Sequence, residues 1–293
     1  MYTIAGVTGQ VGSAVADGLL AAGADVRVLV RDPAMGRPWS QRGAEAAVAD
    51  LRDTDRLTEA LRGSDGAFVL QPLNLTSPTV AAEAAQLTDS VGEAVAAAGV
   101  PHVVALSAIG ADLPEGTGAI EWLHRFENRL RRTGAVITAV RSVHFQEKAR
   151  DLLGAVHAAG VYPVLRNSAD VPIPMVAVRD VGAVIASALR QPATAHQIID
   201  VEGPEYTERQ VAETIASLIG RPVEVVTIPR PGWVGTLIEA GLSPHGAELL
   251  AGLHDADQRG VLRPAGDRLV RGRTSLDETL RQLLRTESPS PAR

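Results

Sequence analysis

Cysteine is absent from the 293-residue chain, which excludes disulfides, thiolate nucleophiles and cysteine-ligated metal and fits a reducing compartment. The histidines show no ligand spacing either, so no metal is expected. A surplus of positive charge is also lacking. The formal net charge is -6, against a phosphate-tracking nucleic-acid binder, which needs a basic face. Lys148 is the sole lysine among 28 Lys and Arg residues, and aromatics make up only 3% of the chain. No uncharged apolar run reaches bilayer-spanning length. No basic stretch followed by an apolar one precedes the first strand candidate, so no secretory signal is indicated and the expected location is cytoplasmic. Neither nucleic acid nor membrane is expected as a partner; a small molecule is, and a homodimer is left open.

The chain does have length and apolar content, 45% hydrophobic, enough for one substantial core or a large domain with a smaller appendage. Over the first 140 residues, short β-branched runs alternate with longer Ala/Leu-rich segments of helical period. The strand candidates are Thr3–Val7, Asp25–Val30, Ala46–Ala49, Ala67–Leu70, His102–Leu106 and Val136–Val140, continuously apolar as strands buried on both faces are. Between them, helical segments at 10–22, 53–61, 81–98 and 120–132 run up to Gly23, Gly63, Gly99 and Gly134, where a C-terminal cap favours a left-handed residue. This order predicts an α/β fold, a doubly wound parallel sheet that binds ligands at its carboxyl edge.

Beyond Phe145, prolines interrupt shorter elements. A helix is expected from Val178 to Arg190, a strand over Gln197–Val201, a helix over Thr207–Ile219 and a strand over Val223–Ile228. Thr207 and Gln210 have capping-box spacing. Residues 232–284 are expected to be helical. The division that results is a dinucleotide-binding domain at 1–145, a smaller mixed α/β substrate-side portion at 146–287 and a frayed tail at 288–293.

Gly6-Val-Thr8-Gly9-Gln10-Val11-Gly12 follows the first strand candidate and opens the first helix, the context of a Rossmann phosphate-binding turn. Gly6 permits the turn, Gly9 lets backbone approach a pyrophosphate, and Gly12 allows close helix packing. The free N–H groups and dipole of the helix then favour an anion without any lysine. At the end of the second strand, where NAD enzymes place a carboxylate, stands Arg31. A guanidinium pairs with a 2′-phosphate, which favours NADP(H) over NAD(H). Asp32 is the competing residue: pointed at the ribose, it would reverse or cancel the preference.

The G-x-x-G-x-x-G spacing resembles extended and atypical short-chain dehydrogenases/reductases. With Ala49-Asp50-Leu51-Arg52-Asp53, Ala105-Leu-Ser-Ala-Ile-Gly110, Glu127 ahead of Val136-Ile-Thr-Ala-Val-Arg141, Ala177-Val-Arg-Asp180-Val, Gln197-Ile-Ile-Asp-Val-Glu-Gly203-Pro and Ile219-Gly-Arg-Pro222, the chain resembles the NmrA-like family. That family includes NADPH:quinone oxidoreductases and redox-sensing regulators. The resemblance implies that Asp50 and Leu51 flank the adenine and that Gln71 and Pro72 border the nicotinamide ribose.

One departure bears on chemistry. Typical short-chain dehydrogenases use Tyr-x-x-x-Lys, and none of Tyr2, Tyr162 and Tyr206 has a lysine four residues on. Aligning Glu127 puts Ala119 and Leu123 at those positions. The candidate proton donors are then His124, on that helix, and His144, after the sixth strand, since either can titrate near neutrality. Ser107 is a candidate to bind a substrate carbonyl, and Phe145 and Trp233 to line a flat apolar pocket. The expected function is an NADPH-dependent reductase of a quinone-like or conjugated molecule, with direct hydride transfer. The alternative is a non-catalytic redox sensor that binds the dinucleotide.

Overall fold

The structure, a computed structural model, describes residues 1–287; the expected frayed tail lies outside the described residues. The N-terminal half runs β1 (Tyr2–Ile4), α1 (Gln10–Ala21), β2 (Val26–Val30), α2 (Pro33–Ser40), β3 (Glu45–Val48), α3 (Thr54–Leu61), β4 (Gly66–Val69), α4 (Val80–Ala98), β5 (His102–Ala108), α5 (Ile120–Leu130) and β6 (Val136–Ser142). All six expected strands form, and Gly23, Gly63, Gly99 and Gly134 all have positive φ. Two features differ from the sequence reading. β3 has Glu45, Ala46 and Val48 exposed because it is an edge strand with one neighbour, and so it is not buried on both faces. The helix α2 was not anticipated: Gly36 and Pro38 argue against helix, but Pro33 suits its first turn, Asp32 caps it and Trp39 anchors it in the core.

The second half continues with β7 (His144–Phe145), a 3-10 segment over Gln146–Leu152, α6 (Leu153–Ala159), β8 (Val161–Val164), β9 (Ile173–Val176), α7 (Val178–Arg190), β10 (Gln197–Glu202), β11 (Glu205–Tyr206), α8 (Glu208–Ile219), β12 (Glu224–Thr227), α9 (Trp233–Glu239), α10 (Pro244–Gln258), β13 (Arg268–Arg271) and α11 (Leu276–Glu287). The capping box forms: Gln210 N–H donates to Thr207 Oγ1 at 3.1 Å and Thr207 N–H to Gln210 Oε1 at 2.9 Å. The stretch 232–284 is not wholly helical. It contains β13, which pairs with β10.

The main sheet has the order β3-β2-β1-β4-β5-β6-β10-β13, all parallel. It is a doubly wound Rossmann sheet to which the second half adds two strands. Strand order reverses between β1 and β4, and ligands bind at the carboxyl edge beside that point. One apolar core joins the sheet to α1 and α7, the other to α3, α4 and α5. The first is close because Gly182 has no side chain: a Cβ there would stand 2.6 Å from that of Ala14. The small sheets β11-β9-β7 and β12-β8 have their own core around Val156, Tyr162 and Ile215. Among the described residues, no helix is long and apolar enough to cross a membrane and no cluster of potential ligands could hold a metal ion.

Candidate functional site

The turn between β1 and α1 is built from backbone. Gly6 takes φ +69° and packs on Leu70 at the end of β4: a Cβ would stand 2.8 Å from Leu70 Cδ2. Gly9 N–H closes the turn onto Gly6 O at 2.9 Å. At Gly12, a Cβ would lie 2.3 Å from Gly6 O and 2.6 Å from Ala5 O, so no other residue fits without moving backbone. Thr8 and Gly9 are exposed, Gln10 is half-buried and Val11 is buried. No side chain caps α1, and no acidic residue stands in its first turn. An N-terminus of this kind, with free donors and a positive dipole end, is open to a phosphate.

At the end of β2, Arg31 and Asp32 have different local settings. The Asp32 carboxylate accepts the Ala34 N–H at 2.8 Å and caps α2. Arg31 is exposed and, among the described residues, makes no hydrogen bond or ion pair, while Arg42 is occupied by Asp17 and the Trp39 ring. Asp50 accepts from Arg52 N–H at 2.9 Å and from its guanidinium at 3.1 and 3.0 Å. Those bonds, with Arg31 as a weaker contributor, hold the Asp50 carboxyl below its ordinary value. Leu51 is half-buried and Pro72 exposed. Gln71 is buried; its Nε2 donates to Ala84 O at 3.0 Å, and its Oε1 has no partner.

The three candidate catalytic side chains each have their own partners. Ser107 is buried at the end of β5 and donates to Glu127 Oε1 at 2.6 Å. It stands in register with Arg141 of β6, which in turn pairs with Asp200 of β10. Ser107 thus belongs to a buried ionic row fastening α5 to the sheet, instead of presenting a free hydroxyl to a carbonyl. The expectation that His124 delivers a proton also meets an obstacle. Its Nδ1 lies 2.9 Å from Ala111 O, which can only accept, and its Nε2 lies 2.8 Å from the Asn128 amide nitrogen, which can only donate. Both ring nitrogens are occupied in one neutral tautomer.

His144, on β7, has a different setting. Its Nε2 lies 3.3 Å from Asp257 Oδ2 of α10, and Asp257 is paired with the buried Arg166. Glu208 and Lys148 act on the same imidazole with opposite sign. Burial first, then the Arg166 charge, pushes His144 down to about 4. The neighbouring His254 is likewise lowered to about 4, by burial and by the charges of His144 and Arg166. His144 is therefore neutral at physiological pH, which corrects the expectation of titration near neutrality. Phe145 beside it is half-buried. Trp233 does not line an open pocket: it is 1% exposed, its Nε1–H donates to Ile228 O at 2.7 Å, and its ring packs edge-on to His254 at 6.1 Å. Arg166, His254 and Asp257 carried no signal in the sequence: Arg166 lies in a loop and is about ninety residues from the other two, which stand one turn apart on α10, whereas Glu127 and Arg141 lie in the family motifs.

The three tyrosines lie elsewhere. Tyr2 begins β1, the Tyr162 hydroxyl donates to Glu208 Oε2 at 3.0 Å, and the Tyr206 hydroxyl accepts the Leu276 N–H at 3.1 Å. Lys148 is exposed.

Known proteins are similar to this chain in sequence and in fold. The chain is 32% identical over 231 residues, 78% of its length and 77% of the other, to an NAD(P)H azoreductase of Xenophilus azovorans. It is 33% identical over 227 residues, 76% and 75% of the two chains, to a (4-alkanoyl-5-oxo-2,5-dihydrofuran-3-yl)methyl phosphate reductase of Streptomyces griseus subsp. griseus. The fold is that of the triphenylmethane reductase of Citrobacter sp. solved with NADP(H), with a TM-score of 0.78 at 19% identity, covering 97% of this chain and 100% of that one. A model of the NmrA-like family matches residues 2–249, and the chain belongs to that family.

Proposed function

We propose that this protein is an NADPH-dependent reductase of a conjugated small molecule, quinone-like or azo. The observation that carries the reading is Gly12, where a Cβ would stand 2.3 Å from Gly6 O, at the start of an uncapped, acid-free helix beside the switch point of the sheet. Such a cradle fits a pyrophosphate. The free guanidinium of Arg31, with Asp32 turned into α2, favours a 2′-phosphate and hence NADP(H) over NAD(H). Asp50 and Leu51 border the adenine, and Gln71 and Pro72 the nicotinamide ribose. The relatives named for azo and dihydrofuranone substrates support a conjugated acceptor.

When bound, the reduced dinucleotide supplies a hydride. The chain's own part is placement. The acceptor lies between the turn and α10, facing His144 and Phe145, and the proton that balances the hydride comes from solvent. A conjugated acceptor delocalises the charge it gains, so it needs no strong protein acid, in keeping with a neutral His144 and an engaged His124. The reduced cofactor that such chemistry draws on is cytoplasmic, and we place the protein there.

Purified protein mixed with NADPH and, in turn, methyl red and a benzoquinone tests this. Oxidation of NADPH faster than in buffer, with NADH much poorer, is the expected result. Tight NADPH binding without turnover of any conjugated acceptor overturns the reductase and leaves a sensor.

A further inference from the structure

Helix α10 touches both sides of the proposed site. Ser243, its N-cap, donates twice to Leu75 O, from the backbone N–H at 3.0 Å and from Oγ at 3.1 Å, and the same Oγ accepts the Gly246 N–H at 3.0 Å. Gly246 then lies directly on that backbone: a Cβ would stand 2.0 Å from Leu75 O and 3.0 Å from Leu75 Cα. Leu75 sits in the segment 71–79 that follows β4. At the head of that segment, Leu70 packs on Gly6 of the dinucleotide turn. At the far end of α10, Asp257 reaches His144, and His254 lies against Trp233. A second attachment, Ala119 N–H to Leu249 O at 3.0 Å over Gly118, holds the middle of the helix to the loop before α5. Gly6 packs on Leu70, the chain runs from Leu70 through 71–74 to Leu75, and Leu75 is fastened to Ser243 and Gly246 at the start of α10, whose far end reaches His144.

We propose that the joint of Ser243 and Gly246 with Leu75 couples dinucleotide binding at the turn to acceptor binding at the His144 cluster, which makes both residues positioning residues. The inference rests on the reductase reading. The joint has no slack, since the backbone of α10 meets the backbone of the 71–79 segment with no side chain between them. A shift of Leu70 on binding at Gly6 is carried along the short 71–74 segment to Leu75, and Leu75 is tied to α10 by the Ser243 bonds and the Gly246 contact. The coupling is taken to be favourable, the closed joint being shared by both ligands, and linkage then makes the factor the same in both directions.

The test measures the affinity of methyl red for the full chain with and without saturating NADP+, a pair that cannot react. Ser243→Pro suits the native φ of -65° and removes both donors to Leu75. Ser243→Gly removes only the hydroxyl at a position where glycine is tolerated, and Ser243→Thr keeps the joint. Wild type and Ser243→Thr are expected to bind the dye about five-fold or more tighter with NADP+ present. That ratio should approach one in Ser243→Pro and fall at least about two-fold in Ser243→Gly, with NADP+ affinity in the absence of dye unchanged. A thermal melt identifies any variant that does not fold, and Ser243→Gly decides the matter if Ser243→Pro does not. A wild-type ratio of one, or a ratio unchanged in Ser243→Gly, overturns the coupling. If wild type turns over NADPH yet shows either result, the reductase stands and the joint alone fails; absence of NADP+ binding overturns both.

Discussion

Glu127 and Arg141 meet through two hydrogen bonds of 2.8 Å, Nε to Oε1 and Nη2 to Oε2, with both side chains buried. Ser107 adds a third bond to the same carboxylate and Arg131 a longer one of 3.2 Å. This ionic row lies on the helix that, in alcohol-type relatives of the fold, would carry a tyrosine and a lysine. Here the helix face fastens the ends of β5 and β6.

Removing one partner of such a pair leaves the other charge buried and uncompensated. Glu127→Gln is expected to lower stability by about 3 kcal/mol, read from urea denaturation midpoints. Ser107→Ala loses one bond to a charged acceptor and should cost about 1.5 kcal/mol, with turnover of methyl red unchanged. A large loss of turnover at wild-type stability would return Ser107 to the list of substrate contacts.

The glycines of the turn separate by the space each one faces. Gly12→Ala drives a Cβ into backbone and is expected to lower the melting temperature as well as abolish NADPH binding. Gly9→Ala has 3.3 Å to Gly6 O and otherwise faces outward, so the protein should melt near wild type and bind NADPH at least about ten-fold more weakly. Fluorescence titration beside a thermal melt checks both.

Arg31→Ala should weaken NADPH by about ten-fold or more, as loss of a charge-assisted hydrogen bond does, and leave NADH nearly untouched. Parallel titrations with the two cofactors read the ratio. An equal effect on both would mean that the side chain does not meet the 2′-phosphate.

The His144 and His254 values set the acid limb of stability. Each is lowered to about 4 in the fold, from 6.5, so the unfolded chain binds more protons between those values. Stability is full above about pH 6.5 and is lost as the pH falls towards 4. The double variant His144→Asn/His254→Asn should lose less between about pH 6.5 and pH 4.5 than wild type does, measured by denaturation midpoints. Because His144 is lowered to about 4, the acceptor kcat/KM of wild type should show no His144 titration between about pH 6 and pH 8. A sigmoid centred in that window would assign His144 an acid role after all.

The parallel strands, the four glycine-ended helices, the Thr207 capping box and the Gly6–Gly12 turn were all legible in the sequence. Their signals are local: periodicity, a cap and its partner three residues on, a glycine where φ must be positive. α2 was hidden because Gly36 and Pro38 carry the opposite local signal, which the Asp32 cap, Pro33 in the first turn and the burial of Trp39 together outweigh. β13 was hidden because a four-residue edge strand with Arg268, Leu269 and Arg271 exposed has no apolar pattern to show.

The sequence by itself determined the Gly-rich strand-to-helix turn and the uncapped helix start behind it, since both arise within one stretch of chain. It also placed Arg31 at the strand end. Asp32 is engaged locally, by the Ala34 N–H two residues on, while only the tertiary structure showed that Ser107 and His124 are occupied and that His144 is lowered to about 4. Those outcomes depend on desolvation and on groups brought from elsewhere in the chain, Glu127 for Ser107, Ala111 O for His124 and the Arg166 charge for His144. A side chain's proton affinity and free valences are set by neighbours that the fold assembles from distant stretches of the chain, which no local pattern encodes.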